Sequence, residues 1–507
     1  MKTLAIRLSF LVTVAVLSAA AAVPEISTPV MTQDSSRLVT ITYTLANAPA
    51  VVTLDVQTNY LDGADTKWAS IGGEVVCTAQ GDVWKQVATG ARTITWRPDL
   101  FWSDHKIPNG GARAVVTAWP LDNPPDYMVV DISAAAQPNT QRYYPSVEFI
   151  PGGIVANDEY RKTSIVMRKI MAKGVTWTMG STPAESQRNA DEATHKVTLD
   201  DNYYIGVFEV TQQQLALIKP GRQTGYFFTA TDWQMRPCEQ HSYIEIRDGD
   251  SQSTSVSSYP SAPASGSYLD LLRSKTGIAF DLPSEAQWEF AARAGHGSGL
   301  YGDDSAILNK KNTSYNASNL DANLGRIARY KWNCAWGMSG ADCGSTSARA
   351  EVSTAICGSY APNDWGLYDM LGNVAEWCLD WYASDISSLN GAVNTTAGSA
   401  RVFRGGSWRS IDSECRPARR ASDAPSTRVW YTGFRLACPA GQNKSDALRR
   451  RSIRAPYLRR HSGVCRRSRA IPRRRCGVEG PRGNDRCRGG GRCAGRGERW
   501  LILLAGC

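Results

Sequence analysis

Apolar and polar residues alternate along Val39–Leu45 and Val52–Gln57, and again along Thr93–Trp96, Ala114–Trp119 and Tyr127–Ile132. Successive side chains of an extended chain point to opposite faces. Period-two alternation rich in β-branched residues therefore predicts half-buried strands. Turn residues such as Asn109-Gly110-Gly111 separate them. So many short strands within residues 23–140 predict an all-β, immunoglobulin-like sandwich. No group of catalytic residue types falls inside it, so it reads as an interaction or spacer module.

The pattern changes after a linker, residues 141–163, that carries Pro151-Gly152-Gly153. Residues 164–439 are rich in Trp, Gly and Asn, and their regular elements are few, which predicts an α+β domain with much irregular structure. Thr211-Gln212-Gln213-Gln214 and Ser284-Glu285-Ala286-Gln287 are capping boxes. A hydroxyl there takes the amide three residues on, and the Gln side chain reaches back. They predict one helix through Ile218 and another ending at Gly295, a natural helix-ending residue. Ser251–Ser267, rich in Ser and Pro, predicts an insertion loop.

Charge and cysteine sharpen this outline. The chain has 507 residues and a net charge of +10, but 19 of its 57 Lys+Arg and only 4 of its 47 Asp+Glu lie from Gly441 onward. The tail therefore carries +15 and residues 1–440 carry −5. An acidic body gives no basic face for nucleic acid. Residues 440–507 lack apolar periodicity and predict a disordered Arg-rich tail. Their Arg, Gly, Pro, Ala and Cys richness is also what a GC-rich gene gives when read in a wrong frame. At the other end, Lys2 and Arg7 precede the apolar run Leu8–Leu17 and an Ala-rich stretch. Residues 1–22 thus predict a signal peptide and a secreted or periplasmic protein. No later run is long enough to span a membrane. Eight cysteines lie in the body, and an oxidising compartment makes disulfides the expectation for them.

Six strings of the second domain carry a resemblance. They are Val175–Ser181 (VTWTMGS), Tyr203–Thr211 (YYIGVFEVT), Leu282–Gly295 (LPSEAQWEFAARAG), Asn363–Trp377 (NDWGLYDMLGNVAEW), Phe403–Trp408 (FRGGSW) and Gly433–Ala437 (GFRLA). In this order they resemble the formylglycine-generating enzyme, or sulfatase-modifying factor, family. The resemblance implies a fold related to C-type lectins and bound calcium. Calcium takes hard oxygen ligands. On the family motif its ligands would be Asn373, Val374, Glu376 and Cys378, with a second site begun by Asn323 and Leu324 and Asp342 as candidate for its other half.

Enzymes of this family use two cysteines, five positions apart after Gly-Gly-Ser, to hold copper(I) and oxidise a sulfatase cysteine. Cys415 fits the second position, but Ser410 stands at the first. A hydroxyl is a hard, neutral and poor copper(I) ligand. Ser407 matches a family active-site serine. The resemblance therefore implies either an oxidase of altered site or a lectin-like binding scaffold with copper chemistry lost. In the second case the segment Trp408–Thr432, with Trp408, Arg409, Arg416, Arg419, Arg420, Arg428, Trp430 and Tyr431, would display a surface for a peptide, protein or glycan. A sulfatase is the partner that the family suggests. For a Cys415 free of copper, a disulfide is the expectation, with Cys378 the first candidate partner; Cys334 and Cys343 could close a short loop and Cys238 and Cys438 a long-range pair, and sequence does not choose the connectivity.

Overall fold

The computed structural model describes residues 22–185, 187–221, 224–226, 231–249, 259–297, 321–334 and 353–441. The segment before residue 22 read as a signal peptide, the tail after 441, residues 251–258 of the Ser-rich insertion, Asp342 and Cys343 lie outside them. All described residues fall in one compact unit.

Two antiparallel sheets build the first part. One sets Val39–Ala46 between Glu25–Ile26 and Gly90–Trp96, with Gln80–Gly81 beyond, and Val30–Gln33 also pairs with it. The other gathers Asp65–Ser70, Lys85–Val87 and Ala112–Pro120 around the long strand Ala50–Asp62. Ile41, Leu45, Val52, Leu54, Ile94 and Trp84 share one apolar core between them. Val39–Ala46 alternates buried and open positions along its length, as period two requires.

The strand expected to close this sandwich lies elsewhere. Tyr127–Asp131 pairs antiparallel with Ser164–Ile170 in a third sheet ordered Arg142–Tyr144, Tyr127–Asp131, Ser164–Ile170, Tyr203–Gly206, Ala437–Pro439. Alternation marks a strand but not its partner, and Met128 and Val130 find theirs in the core of the second part. The stretch read as linker is ordered: Arg142–Tyr144 is a strand, Glu159–Lys162 a helical turn, and Phe149, Ile150 and Tyr160 are buried in the core of the first sheets.

Both capping boxes form. Thr211 opens the helix Gln212–Ile218 and Ser284 opens Glu285–Arg293. The second helix runs to Arg293 with Ala294 as its C-cap, left-handed at φ 48°, and Gly295 follows at 92° in the expected position just past the cap. A further helix, Tyr268–Thr276, is capped by Ser267 and closed by Gly277. A four-stranded sheet carries the remaining motifs, ordered Arg420–Asp423, Arg401–Arg404, Ala375–Trp381, Thr432–Gly433. No helix among the described residues is long and apolar enough to cross a membrane.

Of the expected cysteine pairings, Cys378 with Cys415 and Cys238 with Cys438 fall within the described residues, and neither is made. Cys238, Cys378, Cys415 and Cys438 are free, buried thiols. Burial raises all four above the ordinary thiol range, so they sit as small apolar groups.

Candidate functional site

The Gly-Gly-Ser string leaves the strand Arg401–Arg404 through a turn that needs glycine. Gly405 and Gly406 have φ of 93° and 69°. A Cβ on Gly406 would stand 2.8 Å from Cys415 Sγ and 2.9 Å from the Glu414 carbonyl oxygen. The bare backbone thus packs directly on the turn Asp412–Cys415. Ser407 and Ser410 follow, their hydroxyl oxygens 3.4 Å apart. The Ser410 amide donates to the Ser407 carbonyl, and the Ser410 carbonyl accepts from Lys331 N–H, both at 2.9 Å.

Both serines line a cavity of about 320 Å³, with Phe403, Arg409, Arg419 and Tyr431 among its walls. Cys415 does not line it. The thiol is fully buried behind Gly406, and burial, then Glu414 and Asp412, keep it protonated. A hydroxyl in the cavity and a protonated thiol behind its wall do not make a thiolate pair, so these residues do not fit copper(I).

The surface expected from Trp408 to Tyr431 divides in two. Arg409 and Tyr431 line the cavity, and the Arg409 guanidinium stacks over Trp430 at 4.6 Å and over Tyr431 at 5.3 Å. Trp408 is wholly buried and packs edge-on to Trp430 at 5.6 Å. Arg416 is buried against Glu192 at 2.7 Å and Glu185 at 2.8 Å, and Arg420 is buried against Glu285 at 2.6 Å. These two cations hold the fold; a guanidinium matched to carboxylates in the interior has no spare donor for a ligand. Arg428 reaches Glu245 at 2.7 Å. The sequence reading missed Phe403, Glu414 and Ala421 as lining residues.

Among the expected calcium ligands, the side-chain oxygens of Asn373 and Glu376 accept hydrogen bonds from the protein itself. The Glu376 carboxylate takes Arg435 Nη2 at 2.7 Å, Arg435 Nε at 3.0 Å and Trp288 Nε1 at 2.7 Å. Asn373 turns its amide to the Glu209 carboxylate at 2.6 Å and accepts from Ala355 N–H at 2.8 Å. Val374 N–H donates to Glu209 at 3.1 Å, and the Cys378 thiol lies 3.8 Å from the Glu376 carbonyl. Leu324 lies in the helix Ala322–Ile327 and gives its carbonyl to Ala328 N–H at 2.9 Å, while the backbone N–H of Asn323 donates to the capping Asp321 at 3.0 Å.

A different group stands beside Asn373. Ligand atoms of Glu209, Cys357 and Asp369 lie within 4.8 Å of one another, all buried. Asp369 Oδ2 accepts from Gly358 N–H at 2.6 Å, and its Oδ1 is buried with no hydrogen-bond partner. Burial pushes the Asp369 carboxyl up to about 6 and holds Glu209 well above the ordinary range. The orphaned Asp369 oxygen is the one hard ligand atom of this group left open to a cation such as calcium, since both Glu209 oxygens already accept, from Asn373 and from Val374 N–H; the Cys357 thiol does not contribute to such a site.

A cavity of about 1,070 Å³ lies away from these residues. It runs between the first two sheets and the third, past Gln80, Lys85, Arg142 and Ile278.

Residues 135–440 match the model of the sulfatase-modifying factor enzyme 1-like domain, and the chain belongs to that family. The formylglycine-generating enzyme of Streptomyces coelicolor is 32% identical over 174 residues, covering 33% of this chain and 49% of that one. That of Thermomonospora curvata is 29% identical over 180 residues, covering 34% and 53%. The chain thus spans about half the length of these relatives. Among solved structures, Treponema denticola variable protein 1 is similar at a TM-score of 0.39 and 24% identity, over 55% of this chain and 96% of that one.

Proposed function

We propose that this is an exported protein whose sulfatase-modifying-factor domain binds a ligand in the Ser407–Ser410 cavity and has lost copper oxidase chemistry. The N-terminal sheets, read as an immunoglobulin-like module, serve as its spacer. The observation that carries the reading is the pair of positions the family uses for copper: Ser410 presents a hydroxyl to the cavity, and Cys415 is buried behind it. Softness sets copper(I) preference, and one inaccessible thiol does not supply it. The ligand is a peptide, protein or glycan, a sulfatase being the family's own partner. The competing reading is an active oxidase acting on a sulfatase cysteine. Incubating the purified protein with copper(I), oxygen and a sulfatase-type cysteine peptide, and weighing the peptide by mass spectrometry, decides between them. The expected result is unchanged peptide; copper binding gained in Ser410→Cys would show that only the ligand is missing, no gain that the pocket is rebuilt for binding, and formylglycine formed by the parent protein overturns the proposal.

Calcium belongs to the same proposal, at Asp369 beside Glu209 rather than at Glu376. Bound there, it would balance buried negative charge and fix the turn that carries Asn373. Calorimetric titration with calcium should show binding in the parent and its loss in Asp369→Asn; equal binding by both would remove the site.

A further inference from the structure

The arginines of the string from Arg416 to Arg420 differ in one respect. Arg416 and Arg420 are buried and matched by Glu192 with Glu185, and by Glu285. Arg404, on the neighbouring strand, is matched by Glu285 and Glu289. Arg419 is half-buried, and among the described residues no carboxylate pairs with it; its Nη1 donates to the Arg420 carbonyl at 2.6 Å. A guanidinium has five donors, so most of its capacity is left to what enters beside it.

Arg419 also sits at a junction. It lines the 320 Å³ cavity with Ser407, Ser410 and Arg409, and it lines a second cavity of about 590 Å³ with Tyr382, Ser384 and Ser422. Ala421 lines both as well. The two cavities therefore flank Arg420–Asp423, which is the edge strand of its sheet and pairs on one side with Arg401–Arg404. An edge strand offers a row of main-chain groups to an added strand. The carboxylates along the groove are engaged. Glu414 accepts from Ile411 N–H at 3.1 Å, and Asp191 accepts from the Tyr382 hydroxyl at 2.9 Å and lies 4.0 Å from Arg420.

We propose that this groove binds an extended acidic peptide, its backbone laid along the edge strand Arg420–Asp423 and a carboxylate side chain seated on Arg419 between the two cavities. The inference rests on the ligand-binding reading above and names its ligand class. The edge strand favours a polypeptide over a glycan, because only a peptide backbone completes the ladder. The guanidinium without a carboxylate partner favours an acid over a base. The small Ala421 leaves the passage open, where a larger side chain would close it.

The test is a randomised hexapeptide library passed over the immobilised full-length protein without copper, with retained peptides sequenced. The expected result is enrichment of Asp and Glu at one position, with retention of those peptides reduced about tenfold by Arg419→Gln, the scale of a charge-assisted hydrogen bond. Ala421→Trp should block retention altogether. Thermal melting of each variant checks that it is folded, and Lys85→Gln, in the distant large cavity, serves as the control that changes nothing. Retained peptides without acidic enrichment, or with retention indifferent to Arg419→Gln, overturn the acidic assignment while leaving the binding reading in place. Retention that survives Ala421→Trp, or no retained peptides at all, overturns the proposal. Retention of a heparin-derived hexasaccharide where no peptide is retained would give the groove to a sulfated glycan, overturning the peptide assignment while leaving the binding reading in place.

Discussion

The two parts of this molecule bury different things. Between the N-terminal sheets the core is Val, Ile, Leu, Tyr and Trp, and the ion pairs there lie at the surface: Lys67 with Asp62, Lys85 with Asp82, Arg97 with Asp99. The family domain instead buries Arg404, Arg416, Arg420 and Arg435 with Glu192, Glu285, Glu289 and Glu376 among its aromatic residues. An apolar core specifies its fold through pattern and volume, and tolerates exchange among hydrophobic residues. A buried ion network specifies it through mutual satisfaction, and one missing partner leaves a charge in low dielectric. With few regular elements to satisfy its backbone, the second part uses those guanidinium groups as cross-links. Arg435 alone donates to the carbonyls of Gly206, Val207 and Tyr368.

The largest expected effect follows from that difference. Glu376→Ala should destabilise the protein by about 3–5 kcal/mol, because Arg435 is then buried without its counter-charge. Joint replacement of Glu376 and Arg435 by Leu and Met should recover part of that loss, though the carbonyls Arg435 served stay unpaired. Denaturant titration of the three proteins checks both. A single-variant loss under 1 kcal/mol would erase the contrast between the two parts.

How much of this was legible follows the same division. Strand existence in the first part could be read from alternation because one face is apolar, and Val39–Ala46 keeps that register. Tyr127–Asp131 alternates just as well, but nothing in a period says which strand lies alongside. Thr211 and Ser284 could be read as caps because a cap is local chemistry. Ser267 and Gly277 punctuate a helix in the same way, and the Ser- and Pro-rich stretch before them drew attention off that signal. The site residues were harder. Asn373 and Glu376 look like oxygen ligands in the string, and only the fold shows that Arg435, Trp288 and Ala355 have taken those oxygens. The row of arginines after Cys415 looks like a surface, yet Arg416 and Arg420 point inward to Glu192 and Glu285. Arg419 stands between the turn from Arg416, whose carbonyl accepts from its N–H at 3.0 Å, and the strand begun by Arg420, and the string does not tell it from either neighbour.

The pH dependence sharpens the comparison at an intermediate scale. Burial raises Asp369 to about 6, and burial with Glu285 raises Asp380 to about 7, against 3.8 for the ordinary carboxyl. The folded protein then holds protons that the unfolded chain has released. Their contribution is complete below about pH 4 and is lost as the pH rises through 6 to 7. Burial opposes the charged forms of Glu192 and Glu289, but Arg416, and Arg293 with Arg404, hold both below the ordinary 4.5. That stability is lost only on stronger acidification. Between pH 5 and 8, in chelator, the melting temperature should therefore fall as pH rises. Asp369→Asn should flatten part of the slope, since Asn tolerates the left-handed backbone at φ 55° and puts an amide where the orphaned oxygen stands. A parent protein whose stability rises with pH over that range would contradict the assignment.

The smallest effect belongs to the first part, and its smallness is the point. Lys67 meets Asp62 at 2.6 Å at the tip of the hairpin that joins Ala50–Asp62 to Asp65–Ser70, shorter than the Glu376–Arg435 contact. By distance alone it would rank as the stronger pair. Yet the two side chains are 50% and 59% exposed, so water competes for both charges and salt screens what is left. Ordering a long Lys side chain offsets the remaining attraction. Lys67→Ala should change stability by no more than about 0.5 kcal/mol, in either direction, and the change should vanish in 0.5 M salt. Chemical denaturation at low and high ionic strength measures it. A loss of several kcal/mol that persists in salt would mean that the first part also depends on charge, and that burial does not separate the two.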